Sequence, residues 1–332
     1  ATSSAASDVY KRQTPTPRQI LQRLPRPIPQ KTLKYLTRIL LASSLFIGAE
    51  AVSARTPNPE RGKQVFYASG GCGCHTDQPN GGQSMAGGRG IQTPFGIFYG
   101  SNITPHPEAG IGRWSDEDFV RAMTLGEAPD GSHYFPVFPY TSFRLMTETD
   151  LLHLKDYLFS LPASPKVNRE HEVPFPFNLR PPLFFWKLVF LEKGSFEKDP
   201  LKSELWNRGA YLSNALAHCG ECHTPRNLLG GLKASMHYAG SREGPEGELA
   251  PNITPDQETG IGAWSKQDLQ WLLETGMKPD ADNVQGLMAE AIDDGYSHLP
   301  PEDLKAIAEY LVSLPPIKHL VISENQDSEQ DW

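Results

Sequence analysis

Cysteine is scarce in this sequence: there are four in 332 residues, and they fall in two tight clusters, each followed directly by a His. No cysteine is left over for a pairing between distant segments, which excludes a disulfide framework as the basis of the fold. Long apolar runs are also missing. The one near the N-terminus, Ile39 to Ala49, is closed by Glu50 after about eleven residues, where a membrane span needs roughly 20. A basic excess is lacking, with 31 Lys and Arg against 39 Asp and Glu, which argues against nucleic acid as a partner. Alternating strand patterns of useful length are absent, and helices are left as the main building material.

The first 54 residues read as something other than the folded domain. The chain has no initial Met, residues 3–13 (SSAASDVYKRQ) read as a translated sequencing-library adapter, and residues 14–30 are rich in Pro and Arg without any period, so residues 1–30 are an expected artefact of sequencing and upstream reading. Lys31, Lys34 and Arg38, the short apolar run and Val52-Ser53-Ala54 form the three parts of a secretory signal peptide over residues 31–54. Eight of the 31 basic residues but only two of the 39 acidic ones lie before residue 55, so the remainder carries a net charge of −14. Such acidity favours docking partners with a basic surface.

The rest of the chain is an internal duplication. Asn102-Ile103-Thr104-Pro105 recurs as Asn252-Ile253-Thr254-Pro255, and Gly110-Ile111-Gly112-Arg113-Trp114-Ser115 recurs as Gly260-Ile261-Gly262-Ala263-Trp264-Ser265, both at a spacing of 150. Arg61-Gly62 matches Arg208-Gly209, and the YLFSLP ending at Pro162 matches the YLVSLP ending at Pro315. Each unit is helical by its signals. Ser115 with Asp118, and Ser265 with Asp268, place N-caps, Gly126 and Gly276 stop those helices, and apolar periods through Leu151, Leu154 and Leu158, or Leu304, Ile307 and Leu311, mark a last helix. The expected fold class is all-α, twice over: one unit at residues 55–163, a bridge at 164–206, a second unit at 207–317 and a polar tail at 318–332.

Cys219-Gly220-Glu221-Cys222-His223 is the C-x-x-C-H pattern of covalent haem c attachment. Its spacing lets two thiols reach the two vinyl groups of one macrocycle while the adjacent His reaches the iron. A zinc site would need further Cys or His ligands at typical spacing. The first cluster, Cys72-Gly73-Cys74-His75, has one residue fewer between its thiols. Its place in the duplication marks it as a second haem site, attached through both thiols or through Cys74 alone. Two covalently bound haem c groups are therefore expected, with His75 and His223 as axial ligands.

A sixth ligand is sought by the same repeat logic. In the second unit Met288 follows Gly276 and Pro279-Asp280 and is the expected ligand, with Met277 or Met236 as the alternatives. In the first unit the spacing of 150 puts Phe138 at the place of Met288, so the direct counterpart is lost. Met146, just before the last helix, is the expected replacement, and His133 or an open position are the alternatives. Met85 and Met123 read as structural.

Thr93-Pro94-Phe95-Gly96, Tyr99, Asp130-Gly131-Ser132-His133, Pro139-Tyr140-Thr141-Ser142, Trp206 to Tyr211 and Cys222-His223-Thr224-Pro225-Arg226 carry a family resemblance. The chain resembles the diheme c-type cytochromes related to the cytochrome subunits of membrane-bound quinoprotein alcohol dehydrogenases and of gluconate 2-dehydrogenase, over nearly all of residues 56–316. The resemblance implies two tandem class I cytochrome c domains that accept electrons from a dehydrogenase and pass them to a membrane quinone or a cytochrome. It implies a periplasmic protein, with peripheral association at the inner membrane as an option. The rival expectation is a diheme enzyme, peroxidase-like or thiosulfate-oxidising, with an exchangeable ligand at the first haem.

Overall fold

In each repeat the first helix crosses the last at a glycine, and this crossing organises the helices around it. A computed structural model describes residues 55–322, of which Thr56 onward belongs to one unit; the signal-peptide and upstream segments lie outside the described residues, as does most of the tail. Helix α1 (Pro59–Ala68) starts from Asn58, whose side chain accepts the Arg61 amide, with Pro59 in the first position where a missing N–H costs nothing. A short hairpin follows, β1 (Gly90–Thr93) paired antiparallel with β2 (Gly96–Tyr99). Next come α2 (Asp116–Leu125), the single turn α3 (Tyr140–Phe143) and α4 (Glu148–Ser160). Helix α5 (Leu183–Phe190) lies between the repeats. The second repeat supplies α6 (Glu204–Tyr211), the single turn α7 (Gly220–His223), α8 (Lys266–Thr275), α9 (Gly286–Asp293) and α10 (Pro301–Leu311).

The expected helix signals are found where the sequence puts them. Ser115 and Ser265 each form a full capping box with the Asp three residues on, and Gly126 and Gly276 close α2 and α8 in the left-handed conformation. The hairpin is the departure from an all-helical reading. Its four-residue strands are too short to show an alternating pattern, and Pro94 in the turn and Gly96 just after it are what a loop would also carry.

Helix α1 packs along α4, and α6 along α10. A Cβ at Gly62 would lie 1.9 Å from the carbonyl oxygen of His153, and one at Gly209 would lie 1.9 Å from that of Ala306. The two backbones therefore touch, and only glycine fits. The recurring Arg-Gly pair is explained by this contact, and in the second repeat Arg208 adds a two-pronged ion pair to Asp303, 2.7 Å at each prong.

The recurring N-I-T-P segment is a second structural tie. Buried Asn102 donates to the carbonyls of Ser164 and Lys166, both at 2.9 Å, while its oxygen accepts from Thr104. Asn252 does the same with the carbonyl of Ile317 at 2.7 Å and with Thr254. In both repeats the loop after the Cys-His turn is thus fastened to the chain that leaves the last helix.

The repeats pack on each other through one core cluster that includes Leu151, Leu154, Leu304 and Ile307. Helix α5 touches both. Lys187 donates to the carbonyl of Gly126 at 2.7 Å, and the indole of Trp186 donates to that of Leu229 at 2.8 Å. Among the described residues no helix is long and apolar enough to cross a membrane.

A Gly-to-Ala change inside a helix normally gains up to about 1 kcal/mol from propensity. At Gly62 and Gly209 the sign should reverse. Gly62→Ala and Gly209→Ala are each expected to cost about 1–3 kcal/mol by overpacking, read as a lower urea midpoint; an unchanged or raised midpoint would show that the helices do not meet there.

Candidate functional site

Both Cys-His clusters open into one continuous cavity of about 2440 Å³. Pockets for a single small ligand run to about 1,000 Å³, so this space admits more than one large group. Cys72, Cys74, Cys219 and Cys222 line it together with His75 and His223, and all four cysteines are free thiols. Matching residues of the two repeats face the space, among them Ile111 with Ile261 and Trp114 with Trp264.

The backbone around each His is built in the same way twice. His75 Nδ1 lies 2.7 Å from the carbonyl of Ser101, and His223 Nδ1 lies 2.7 Å from that of Pro251. A carbonyl only accepts, so each Nδ1 carries the proton and each Nε2 keeps a free lone pair for a metal. The carbonyl of His75 accepts from Gly87 at 2.7 Å, and that of His223 from Gly240 at 2.7 Å. Thr76 and Thr224 hold the next loop in turn, accepting the amides of Met85 and Tyr238.

The attachment turns differ where the sequence differs. Cys219 begins α7 in right-handed helical geometry, whereas Gly71 (φ 70°) and Cys72 (φ 52°) are left-handed. These two residues re-aim the chain so that Cys72 still reaches the cavity one residue short of the usual spacing. Burial pushes the thiols of Cys72, Cys219 and Cys222 up to about 12 and holds both imidazoles below their ordinary value. The site therefore presents neutral thiols and neutral imidazoles, suited to thioether formation and iron ligation rather than to thiolate chemistry. Among the described residues no three His, Cys, Asp or Glu side chains gather as a metal set. The residues present fit haem c at both places.

Met288 lines the cavity, on α9. Met146 does not. It is packed in the core at 2% exposure, in the short segment between α3 and α4, where its side chain serves the hydrophobic cluster and not the cavity. His133 is also outside the lining and has Lys187 Nζ 3.0 Å from its Nδ1. Met236, Met277 and Met85 do not line the space, while Met123 does.

Two polar clusters between the repeats were not visible in the sequence. Buried Arg89 meets Glu290 of α9 and, at 3.1 Å, Glu246. Glu221, between the second pair of thiols, accepts from Thr141 at 2.7 Å and Ser142 at 2.8 Å of the first repeat and from Arg226 at 2.6 Å. Arg226 is thus engaged with the chain itself. Each cluster joins residues far apart in sequence, and no local pattern announces such a pairing.

A cavity fed by one C-x-C-H and one C-x-x-C-H turn, each with a His whose Nε2 is free, defines the c-type cytochrome class. No protein-family model matches the chain. The chain is 39% identical over 273 residues to the diheme cytochrome c-type of Cereibacter sphaeroides, covering 81% of this chain and 90% of that protein. It is 38% identical to the fructose dehydrogenase cytochrome subunit of Gluconobacter japonicus, over 84% of this chain and 58% of that protein. It is 42% identical to a nicotinate dehydrogenase subunit of Pseudomonas putida, over 77% of this chain but 21% of that protein. The chain belongs to the family of diheme c-type cytochromes and cytochrome c subunits of dehydrogenases. It spans just over half of the length of the fructose dehydrogenase subunit and about a fifth of that of the nicotinate dehydrogenase subunit.

Glu221→Gln keeps the size of the side chain and removes its charge. It is expected to lower stability by about 1.5–3 kcal/mol, because charge-assisted hydrogen bonds to a buried group are lost, and urea denaturation reads the change.

Proposed function

We propose that this chain is an exported electron carrier made of two tandem class I cytochrome c domains, each holding one haem c. The first would be linked through the Cys72-Gly73-Cys74 turn and the second through Cys219 and Cys222. His75 and His223 would ligate the two irons through their free Nε2 atoms, and Met288 would be a further ligand of the second haem. The haem groups supply reversible one-electron chemistry when bound.

The chain's own residues do the rest. The carbonyls of Ser101 and Pro251 fix the tautomer and the plane of each imidazole. The apolar lining of the cavity excludes water, and a methionine ligand such as Met288 raises the potential of the iron it meets. Glu290, two residues beyond Met288, is held by Arg89 of the other repeat, which steadies α9 against the cavity. The observation that carries the reading is the single cavity that receives both pairs of thiols and both free Nε2 atoms.

By analogy with the dehydrogenase subunits among its relatives, the carrier takes electrons from a dehydrogenase and passes them to a membrane quinone or another cytochrome on the periplasmic face of the inner membrane. The acidity of the chain beyond residue 54 favours partners with basic docking surfaces. A second reading, a diheme enzyme with an exchangeable position, is favoured by one observation: Phe138 faces the cavity where Met288 does in the other repeat.

Intact-mass measurement of the denatured protein, with an alkaline pyridine spectrum, should count two covalent haems per chain. Cys219→Ser combined with Cys222→Ser should leave one. Loss of no haem in that double variant would refute the assignment of the second site.

A further inference from the structure

The two-haem reading leaves the first haem without a sixth ligand from its loop, since Phe138 replaces the methionine. We infer that Met123, in the last turn of α2, is the sixth ligand of the first haem, so that the ligand has moved from the loop to the helix. This rests on the two-haem reading above and goes beyond it in naming a ligand of the altered site.

The duplication and the shared caps put the residues in register. Met123 lies eight residues after the N-cap Ser115 and three before Gly126, and Leu273 lies eight after Ser265 and three before Gly276. The two side chains therefore occupy the same place on helices of the same length, each 7% exposed, and both line the cavity. Phe138 and Met288 are likewise matched, each twelve residues after its capping glycine, and both line it too. The pair Leu273 and Met288 in one repeat thus becomes Met123 and Phe138 in the other. A thioether and a hydrocarbon side chain have changed places around the same space.

Packing does not call for sulfur at residue 123, since Leu273 fills the equivalent position. Leu and Met are close in volume, but the unbranched thioether has the reach and flexibility to present its sulfur. The other methionines of the first repeat, Met85 and Met146, are buried at 3% and 2% and do not line the cavity. Among the imidazoles, His133 faces Lys187. His171 lines the cavity, but its Nδ1 accepts the amide of Tyr99 at 3.1 Å, which puts the ring proton on Nε2 and removes the lone pair a metal needs. His218 is the remaining rival. It precedes Cys219 directly and meets the ring of Phe143 edge-on at 5.2 Å, so it moves with the second attachment turn.

The full chain, loaded with covalent haem, tests this through its methionine-to-iron charge-transfer absorption in the ferric state. Met123→Leu should halve that band, give the first haem a high-spin spectrum that binds cyanide or carbon monoxide rapidly, and lower its potential. Met146→Leu should leave the spectrum unchanged. Leu stands at the twin position, so the Met123→Leu fold should survive, and methyl-labelled methionine NMR of the unaltered reduced protein gives an independent reading. There the methyls of Met123 and Met288 should both show the large ring-current shift of an axial ligand. Two haems by mass with an unshifted Met123 methyl, an unchanged band in Met123→Leu, or a ligand change on His218→Ala would overturn the inference alone. A protein with one haem would overturn it together with the two-haem reading.

Discussion

Two hydrogen bonds of 2.7 Å, from His75 to the carbonyl of Ser101 and from His223 to that of Pro251, set the direction in which each imidazole can work. Much of the architecture serves to hold those two carbonyls still. Ser101 precedes Asn102, and Pro251 precedes Asn252, the residues whose amides are bound to the chain leaving α4 and α10. Those last helices are in turn fixed against α1 and α6 by a backbone contact that admits no side chain. The orientation of a ligand at the centre thus depends on a helix crossing at the periphery, through a continuous series of short contacts. This is why the recurring sequence fragments fall outside the Cys-His turns as well as within them.

The sequence made the repeat, the helix caps and the attachment turns legible because each is local: a cap is decided within four residues, and C-x-x-C-H within five. The place of Met288 beside the cavity follows the same spacing from Gly276 as that of Phe138 from Gly126. That Met123 borders both the core cluster and the cavity was not legible, since the helix signal that marks Ser115 to Gly126 does not say which face meets the cavity. The register with Leu273 was the available signal, and it needed the cavity to give it meaning. Met146 had the right chemistry and a convenient position, but unlike Met123 it does not line the cavity. The pairings of Arg89 with Glu290 and of Glu221 with Thr141 span the two repeats and leave no trace in any window of sequence.

The left-handed residues at Gly71 and Cys72 show how a deletion in a tight turn is absorbed. A backbone region that most side chains avoid redirects the chain, and the His beyond it keeps the same carbonyl partner as its twin. The change at the first site is therefore confined to the thiol side and the distal side, while the imidazole side is conserved between the repeats in every hydrogen bond described above.

Glu221 ties the second repeat to the first. The residue just before the second cysteine is glycine in the first repeat and, in the second, a buried carboxylate satisfied by hydroxyls of the first. A free-standing copy of the second repeat would keep that charge and lose two of its three partners. The second repeat is therefore not self-contained: separated at the bridge, it would carry a carboxylate whose hydroxyl partners belong to the first repeat.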